Sequence, residues 1–138
     1  QRSESKGLIL VAAHIEQLGT LLSGLDAEQL DALRASWPGP ATWLVPHCDR
    51  VPPWVCGAHD TVAVRVSDHP VVSSLCTAWG GPLVSTSANP GGALPAREAF
   101  QVRRYFGGSV SCFVPGRVGS SARPTAIRHL VSGDIVRP

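Results

Sequence analysis

The sequence contains no long hydrophobic run and few cysteines. No uninterrupted apolar stretch among its 138 residues approaches the roughly 20 residues that cross a bilayer, and no basic-then-apolar leader is present. Four cysteines stand at irregular spacings in otherwise apolar segments, which favours reduced thiols over a disulfide framework: Cys48, Cys56, Cys76 and Cys112. We therefore expect a cytoplasmic protein without a membrane partner.

The sequence also lacks a recognisable metal-binding pattern. His47-Cys48 and Cys56 with His59 could supply zinc ligands, but their spacing matches no common finger or ribbon, so we predict no metal site there. Aromatic residues are scarce at 6%, and no internal repeat is visible. With 43% hydrophobic residues, the chain is long enough to bury a core as one globular domain, residues 1–138.

The order of predicted elements indicates an α/β domain with a twisted, mixed β-sheet and flanking helices. An apolar run over residues 7–13 predicts a buried strand, and Asp26 followed by Gln29 predicts the capped start of a helix. Asp68 is the predicted N-cap of a later helix, ahead of Pro70. Other strands are predicted at 42–45, 61–66, 82–89, 111–114 and 134–137, and other helices at 15–22 and 97–106.

Residues 61–89 read as a strand-helix-strand unit, for which the natural packing is a right-handed parallel crossover. Its last part, residues 82–92, passes from an apolar run into hydroxyls and an amide before Pro-Gly-Gly. Alternation along an extended chain would place Ser85, Ser87 and Asn89 on one face, with Thr86 and Ala88 packed on the other. This face predicts a ligand site; the competing interpretation is a turn whose hydroxyls cap their own backbone.

Arg65 is a single charge within the β-branched strand 61–66. Alternation places it on the same face as Thr61 and Ala63. Asp60 or Asp68 could neutralise it in a structural ion pair, whereas a binding role would leave the guanidinium for an anionic ligand.

The net charge of +2 hides a cationic carboxyl-terminal third. Residues 97–138 hold Glu98 and Asp134 against seven arginines: Arg97, Arg103, Arg104, Arg117, Arg123, Arg128 and Arg137. Arginine favours planar, bidentate contacts to phosphate or carboxylate, which points to a nucleotide or a nucleic-acid backbone. Taken singly, most of these arginines are better explained as a solvated charged surface.

Five motifs in this order resemble the YrdC-like (TsaC) threonylcarbamoyl-AMP synthases, most closely the short, single-domain bacterial form. They are Arg-x3-Lys-Gly-Leu-Ile-Leu at 2–10, Trp-Pro-Gly-Pro-x-Thr at 37–42, Val-Arg-Val-x-Asp-His-Pro at 64–70, Pro-Leu-Val-Ser-Thr-Ser-Ala-Asn at 82–89 and Arg-Pro-Thr-x-Ile at 123–127. The resemblance implies a YrdC-like fold with an open cationic cleft.

The sequence departs from this family in two respects. Family members begin with a further strand and helix, so we expect this chain to be amino-terminally truncated and inactive by itself. Thr125 stands where the family usually has serine, which keeps a hydroxyl, and Pro90-Gly91-Gly92 lacks a serine that is common before the glycine.

The resemblance implies condensation of L-threonine, bicarbonate and ATP into threonylcarbamoyl-adenylate and pyrophosphate, for the t6A modification of tRNA. Mg²⁺ and other t6A-pathway proteins are implied as well. By resemblance, threonine would be bound by Arg65, Ser85 and Thr125, and ATP by Arg2, Lys6, Thr61, Ser87, Asn89 and Arg137. No residue resembles a covalent nucleophile, so catalysis would rest on positioning and electrostatics.

Two alternatives use the same features. One is a double-stranded RNA or tRNA-binding module without catalysis, with contacts from Arg97, Arg103 and Arg104. The other is a carbamoyl-transfer module like the related domain of hydrogenase maturation proteins. The short chain, without zinc-finger or acylphosphatase-like segments, argues against the second.

Overall fold

The computed structural model describes residues 7–119 and 125–137. Within these ranges the strands are β1 (Ile9–Ala12), β2 (Thr42–Pro46), β3 (Thr61–Val66), β4 (Leu83–Ser85), β5 (Ile127–His129) and β6 (Ile135–Arg137). The α-helices are α1 (Gly19–Leu22), α2 (Ala27–Ser36), α3 (Pro53–Cys56), α4 (Pro70–Trp79) and α5 (Ala99–Phe106), with 3₁₀ turns at Ile15–Leu18 and Gly107–Ser109.

The six strands form one mixed sheet in the order β4-β1-β3-β2-β5-β6. β1 and β3 are parallel, and so are β2 and β5, whereas the remaining neighbours are antiparallel. The predicted α/β architecture with a mixed sheet is confirmed. As a result, the carboxyl ends of β1, β3 and β6 meet the amino ends of β4, β2 and β5 at one edge.

One face of the sheet packs the larger core. Val62, Val64 and Val66 point into it and are almost fully buried, together with Val45 of β2. The helices α1 and α2 contribute Leu21, Leu22 and Leu33 to the same cluster. Burial of each such aliphatic side chain is worth about 1.5–3 kcal/mol relative to exposure, so this face anchors the sheet.

The opposite face is covered only in part. Helix α4 packs Cys76 against Val11 of β1, and Leu83 of β4 joins this smaller cluster. The Cys76 thiol donates to the main-chain carbonyl of Val11 at 3.4 Å. On the same face of β3, Thr61, Ala63 and Arg65 are only half-buried. We call this partly exposed side of the sheet, beyond α4, the open face.

Helix α2 begins as its sequence predicts. The Asp26 carboxylate accepts from the Gln29 main-chain N–H at 2.8 Å, and the Gln29 side chain accepts from the Asp26 N–H at 3.1 Å. This reciprocal capping box satisfies two of the amide groups that a helix start leaves unpaired. Glu98 and Gln101 cap α5 in the same way.

The predicted parallel crossover over residues 61–89 is wrong. β1 lies between β3 and β4, and β4 runs antiparallel to β1 and therefore to β3. The chain leaves β3 and enters β4 at the same edge, because Val11 is paired with both Arg65 and Leu83. If β4 were parallel to β3, the connection would have to run back along the full length of the strands before β4 begins.

Three local predictions are also corrected. The strand predicted to reach Asn89 ends at Ser85, beyond which the backbone turns, and the predicted strand 111–114 is irregular. In that segment the Phe113 ring lies under the Arg103 guanidinium, at 4.4 Å from its centroid. His69, not Asp68, is the N-cap of α4. In the 111–114 segment a contact formed in the folded chain accompanies the loss of the predicted strand, as the context dependence of β-propensity allows.

No helix among the described residues is long and apolar enough to span a membrane.

Candidate functional site

Four polar residues converge at the sheet edge where β3 ends. Pairs of Thr42 with Ile127 and of Ile127 with Arg137 put β2, β5 and β6 in register. Trp43 pairs with Val64, so continuing that antiparallel ladder by one residue sets Thr42 opposite Arg65. Because paired residues of neighbouring strands share a face, Thr42, Arg65 and Arg137 lie on the same side of the sheet.

Thr125, just before β5, joins these strands at that edge. Its hydroxyl lies 3.2 Å from the Thr42 hydroxyl, and Arg65 Nη1 donates to it at 3.4 Å. Arg137 Nη2 donates to the Thr125 main-chain carbonyl at 3.0 Å. We call Thr42, Arg65, Thr125 and Arg137 the Thr125 cluster; it combines two guanidinium groups with two hydroxyls.

Arg65 keeps donors available within this cluster. Its Nε is buried and has no hydrogen-bond partner among the described residues. Within the same residues it forms no ion pair, so neither Asp60 nor Asp68 neutralises it at contact distance. Burial lowers the pKa of Arg65, and the charge of Asp68 partly opposes that shift. A half-buried cation with unused N–H groups is suited to an anionic ligand.

The other predicted residues of the open face lie further from the cluster. Ser85 pairs with Ile9, which pairs with Ala63, so Ser85 shares the face of Arg65. It lies two strands away, level with Ala63, which is two residues before Arg65 in β3. Thr61 lies four residues before Arg65 along β3, a distance of about 13 Å at the usual rise per residue. The structure thus places Ser85 and Thr61 on the face, outside contact with the cluster.

Ser87 and Asn89 occupy the loop after β4. Ser87 is exposed, and its carbonyl accepts from the Asn89 main-chain N–H at 3.0 Å. The Asn89 side-chain amide donates to the carbonyls of Pro90 and Ala93, which closes the loop, while its Oδ1 is buried without a partner among the described residues. Thr86, expected to pack inside, is exposed.

The remaining predicted residues are remote or undescribed. Arg2 and Lys6 lie outside the described residues. Arg97, Arg103 and Arg104 are exposed on and before α5, where Arg103 stacks over Phe113. They are therefore separate from the Thr125 cluster along the chain, on an element that packs little against the sheet.

Sequence reasoning assigned no role to Thr42. The residue is buried, with 1% of its surface exposed. A threonine at the start of a strand gives no sequence pattern that indicates a function. Its place at the end of the 37–42 motif is the signal that could have identified it. The contact with Thr125 depends on the parallel pairing of β2 with β5, which joins residues 83 positions apart.

The described residues contain no group of three or more His, Cys, Asp or Glu side chains that could hold a metal ion. A cavity of about 200 Å³ lies on the opposite face of the sheet, lined by Trp43 and Arg128 among others. It does not coincide with the Thr125 cluster.

Comparison with known proteins gives consistent matches over the chain. The Sua5/YciO/YrdC family model, described as telomere recombination, matches residues 1–138. The threonylcarbamoyl-AMP synthase of Halorhodospira halophila is 53% identical over 136 residues, which cover 99% of this chain and 71% of the relative. That of Cellvibrio japonicus is 49% identical over 138 residues, 100% of this chain and 73% of the relative.

Solved structures show the same fold. P. abyssi Sua5 complexed with L-threonine superposes with a TM-score of 0.90 at 29% identity, over 99% of this chain and 41% of the Sua5 chain. E. coli YciO superposes with a TM-score of 0.81 at 22% identity, over 97% of this chain and 66% of its own. With 41% coverage, this chain spans less than half of the P. abyssi Sua5 polypeptide.

Proposed function

The chain belongs to the Sua5/YciO/YrdC family, and from that premise we propose that its function is threonylcarbamoyl-AMP synthesis. The reaction joins L-threonine, bicarbonate and ATP into threonylcarbamoyl-adenylate and releases pyrophosphate. Curated relatives about half identical over nearly the whole chain carry the name of this enzyme. Among structural neighbours, a Sua5 protein has been solved with L-threonine.

The observation that carries the proposal is the Thr125 cluster. A threonine carboxylate needs a planar cation and hydroxyl donors close together, and Arg65 with Thr125 supplies both at 3.4 Å from each other. Arg65 has N–H groups without a hydrogen-bond partner in the described part of the chain, including a buried Nε. In this proposal Ser85 lines the threonine side of the same open face.

ATP would lie along the remainder of the face and beside the loop after β4. We assign it to Thr61, Ser87, Asn89 and Arg137, with Arg2 and Lys6 from the undescribed amino-terminal residues. Arg137 would connect the two substrates, since its Nη2 donates to the Thr125 carbonyl at 3.0 Å and its other N–H groups would donate to a phosphate of ATP. In this arrangement the cations balance the phosphate charge, and the neutral hydroxyl and amide groups donate hydrogen bonds to the phosphate oxygens.

In such a site the protein acts by positioning. The unprotonated threonine amine attacks the carbon of bicarbonate; a carbon–oxygen bond breaks and water leaves, carrying the amine proton, to give a carbamate. A carbamate oxygen then attacks the α-phosphorus of ATP and displaces pyrophosphate. Arg65 fixes the amino acid, and the phosphate-binding groups fix ATP and stabilise charge on the leaving pyrophosphate. The donor set of the described residues does not fit a protein-held Mg²⁺, so Mg²⁺ supplied with ATP would be bound mainly by the phosphates.

The test is a product assay on the complete natural chain that contains these residues. With L-threonine, bicarbonate and ATP present, we expect threonylcarbamoyl-adenylate by mass spectrometry and an equal amount of pyrophosphate. Omission of any one substrate is the control and should abolish both. Pyrophosphate release that does not depend on threonine or bicarbonate would overturn the proposal.

A further inference from the structure

Thr42 carries a buried hydroxyl whose orientation can be deduced. The residue is 1% exposed, at the start of β2. A hydroxyl has one hydrogen to donate, and leaving that donor unpaired in a buried position costs free energy. Among the described residues, the Thr42 hydroxyl is bonded to Thr125 Oγ1 at 3.2 Å. Thr42 is therefore the donor in this pair.

The Thr125 oxygen then accepts two hydrogens. Arg65 Nη1 donates to it at 3.4 Å, and a guanidinium has no acceptor capacity, so the direction of this bond is fixed. With donors from Thr42 and Arg65, both lone pairs of the Thr125 hydroxyl are used. Its own hydrogen has no acceptor among the described residues and remains available on the open face.

We propose that Thr42 is a positioning residue that fixes the Thr125 hydroxyl as a hydrogen donor to the carboxylate of the amino-acid substrate; this rests on the proposed function. An ionised carboxylate only accepts hydrogen bonds, so a hydroxyl beside it helps only when its hydrogen points outward. The reverse arrangement, in which Thr125 donates to Thr42, would present a lone pair to the substrate and leave the buried Thr42 hydrogen unpaired. The guanidinium charge of Arg65 further polarises the Thr125 hydroxyl.

Two substitutions at Thr42 separate its hydroxyl from its packing. Thr42→Val keeps the branched shape and removes the donor, whereas Thr42→Ser keeps the donor and removes the methyl group. In calorimetry on the complete natural chain, we expect Thr42→Val to weaken L-threonine binding about tenfold (~1.4 kcal/mol) and to leave ATP binding unchanged. Thr42→Ser should bind threonine within about twofold of the unsubstituted protein. Equal falls in threonine and ATP affinity, without rescue by serine, would overturn the inference in favour of a purely structural role.

A double-mutant cycle shows whether Thr42 acts through Thr125. In a Thr125→Val background the hydroxyl that Thr42 orients is gone, so adding Thr42→Val should cause no further loss of threonine affinity. A further tenfold loss in that background would overturn the inference.

Failure of the inference and failure of the proposed function give different results. If the unsubstituted protein binds L-threonine and Thr42→Val binds it equally well, the inference alone is wrong. If the unsubstituted protein binds no L-threonine, the proposed function is wrong and the inference falls with it. In the ligand-free protein, a slowly exchanging Thr42 hydroxyl proton close to Thr125 in NMR spectra would support the deduced orientation, and rapid exchange would contradict it.

Discussion

Arg137 donates to the main-chain carbonyl of Thr125 at 3.0 Å, which ties the last strand to the residue that contacts Arg65. This bond links a residue assigned to ATP with one assigned to threonine. We expect Arg137→Ala to lower the affinity for both threonine and ATP severalfold. The Thr125 main chain loses a hydrogen bond, and the ATP phosphates lose a cation. Calorimetric titration with each substrate separately is the measurement. Unchanged threonine affinity would contradict the anchoring role, and unchanged ATP affinity would contradict the ATP assignment.

Arg65 is expected to cost stability while it supports binding. Burial lowers its pKa, so the folded protein holds this proton less tightly than the unfolded chain does. The charge therefore lowers the free energy of unfolding at neutral pH, and this penalty would disappear only as the pH rises through the lowered pKa. Arg65→Met, which keeps an apolar stem, should abolish threonine binding without lowering the unfolding midpoint in urea.

The control for this substitution is Arg34→Met. Arg34 is an exposed residue of α2 paired with Asp31 at 3.4 Å, and its replacement removes one positive charge far along the chain from Arg65. It should leave threonine affinity unchanged. A clear loss of stability in Arg65→Met, with none in Arg34→Met, would show that the contacts of the Arg65 guanidinium outweigh the cost of burying its charge.

The sequence predicted what depends on local pattern and missed what depends on pairing between distant strands. Strand 61–66 and the Asp26 cap follow from alternation and capping chemistry, and both are confirmed. The position of β1 between β3 and β4 follows from long-range packing, for which the chain carries no local signal. For the same reason Arg65 could be singled out as a lone charge, whereas its contact with Thr125 and the part played by Thr42 required the β2–β5 pairing.

Ser87 and Thr86 form a matched pair for testing the loop after β4. Both are exposed, so neither substitution to alanine should lower the unfolding midpoint appreciably, which revises the expectation that Thr86 is a packing residue. If Ser87 contacts ATP, Ser87→Ala should weaken ATP binding by about 1–3 kcal/mol, and Thr86→Ala should not. Equal ATP affinities for the two variants would exclude the Ser87 contact.

The four thiols should differ sharply in reactivity. Cys48 and Cys112 are exposed, whereas Cys56 and Cys76 are buried. Burial raises the pKa of Cys76, so its neutral form is favoured in the folded state; this contribution to stability is present below the ordinary thiol pKa and is lost as the pH rises through the raised value. Iodoacetamide at pH 8 should therefore label two thiols in the native protein and all four in urea, as counted by intact mass. Labelling of Cys76 under native conditions would contradict the packing of its thiol against Val11 of β1.

The arginines near α5 are expected to contribute to RNA binding and not to ATP binding. Arg104 is exposed in the last turn of α5, and Arg103 is already stacked over Phe113. Arg104→Ala should therefore reduce tRNA affinity and lower the slope of log K against log salt by about one, the signature of one lost phosphate contact, with ATP affinity preserved. Arg103→Ala should reduce tRNA affinity as well and also loosen the 110–119 segment, because it removes a cation–π contact. The control is Arg34→Ala, because Arg34 is an exposed arginine on α2. It should change neither the tRNA affinity nor its salt slope. If Arg34→Ala lowers the salt slope as much as Arg104→Ala, the binding is diffuse attraction to a basic surface and the α5 region is not the RNA contact.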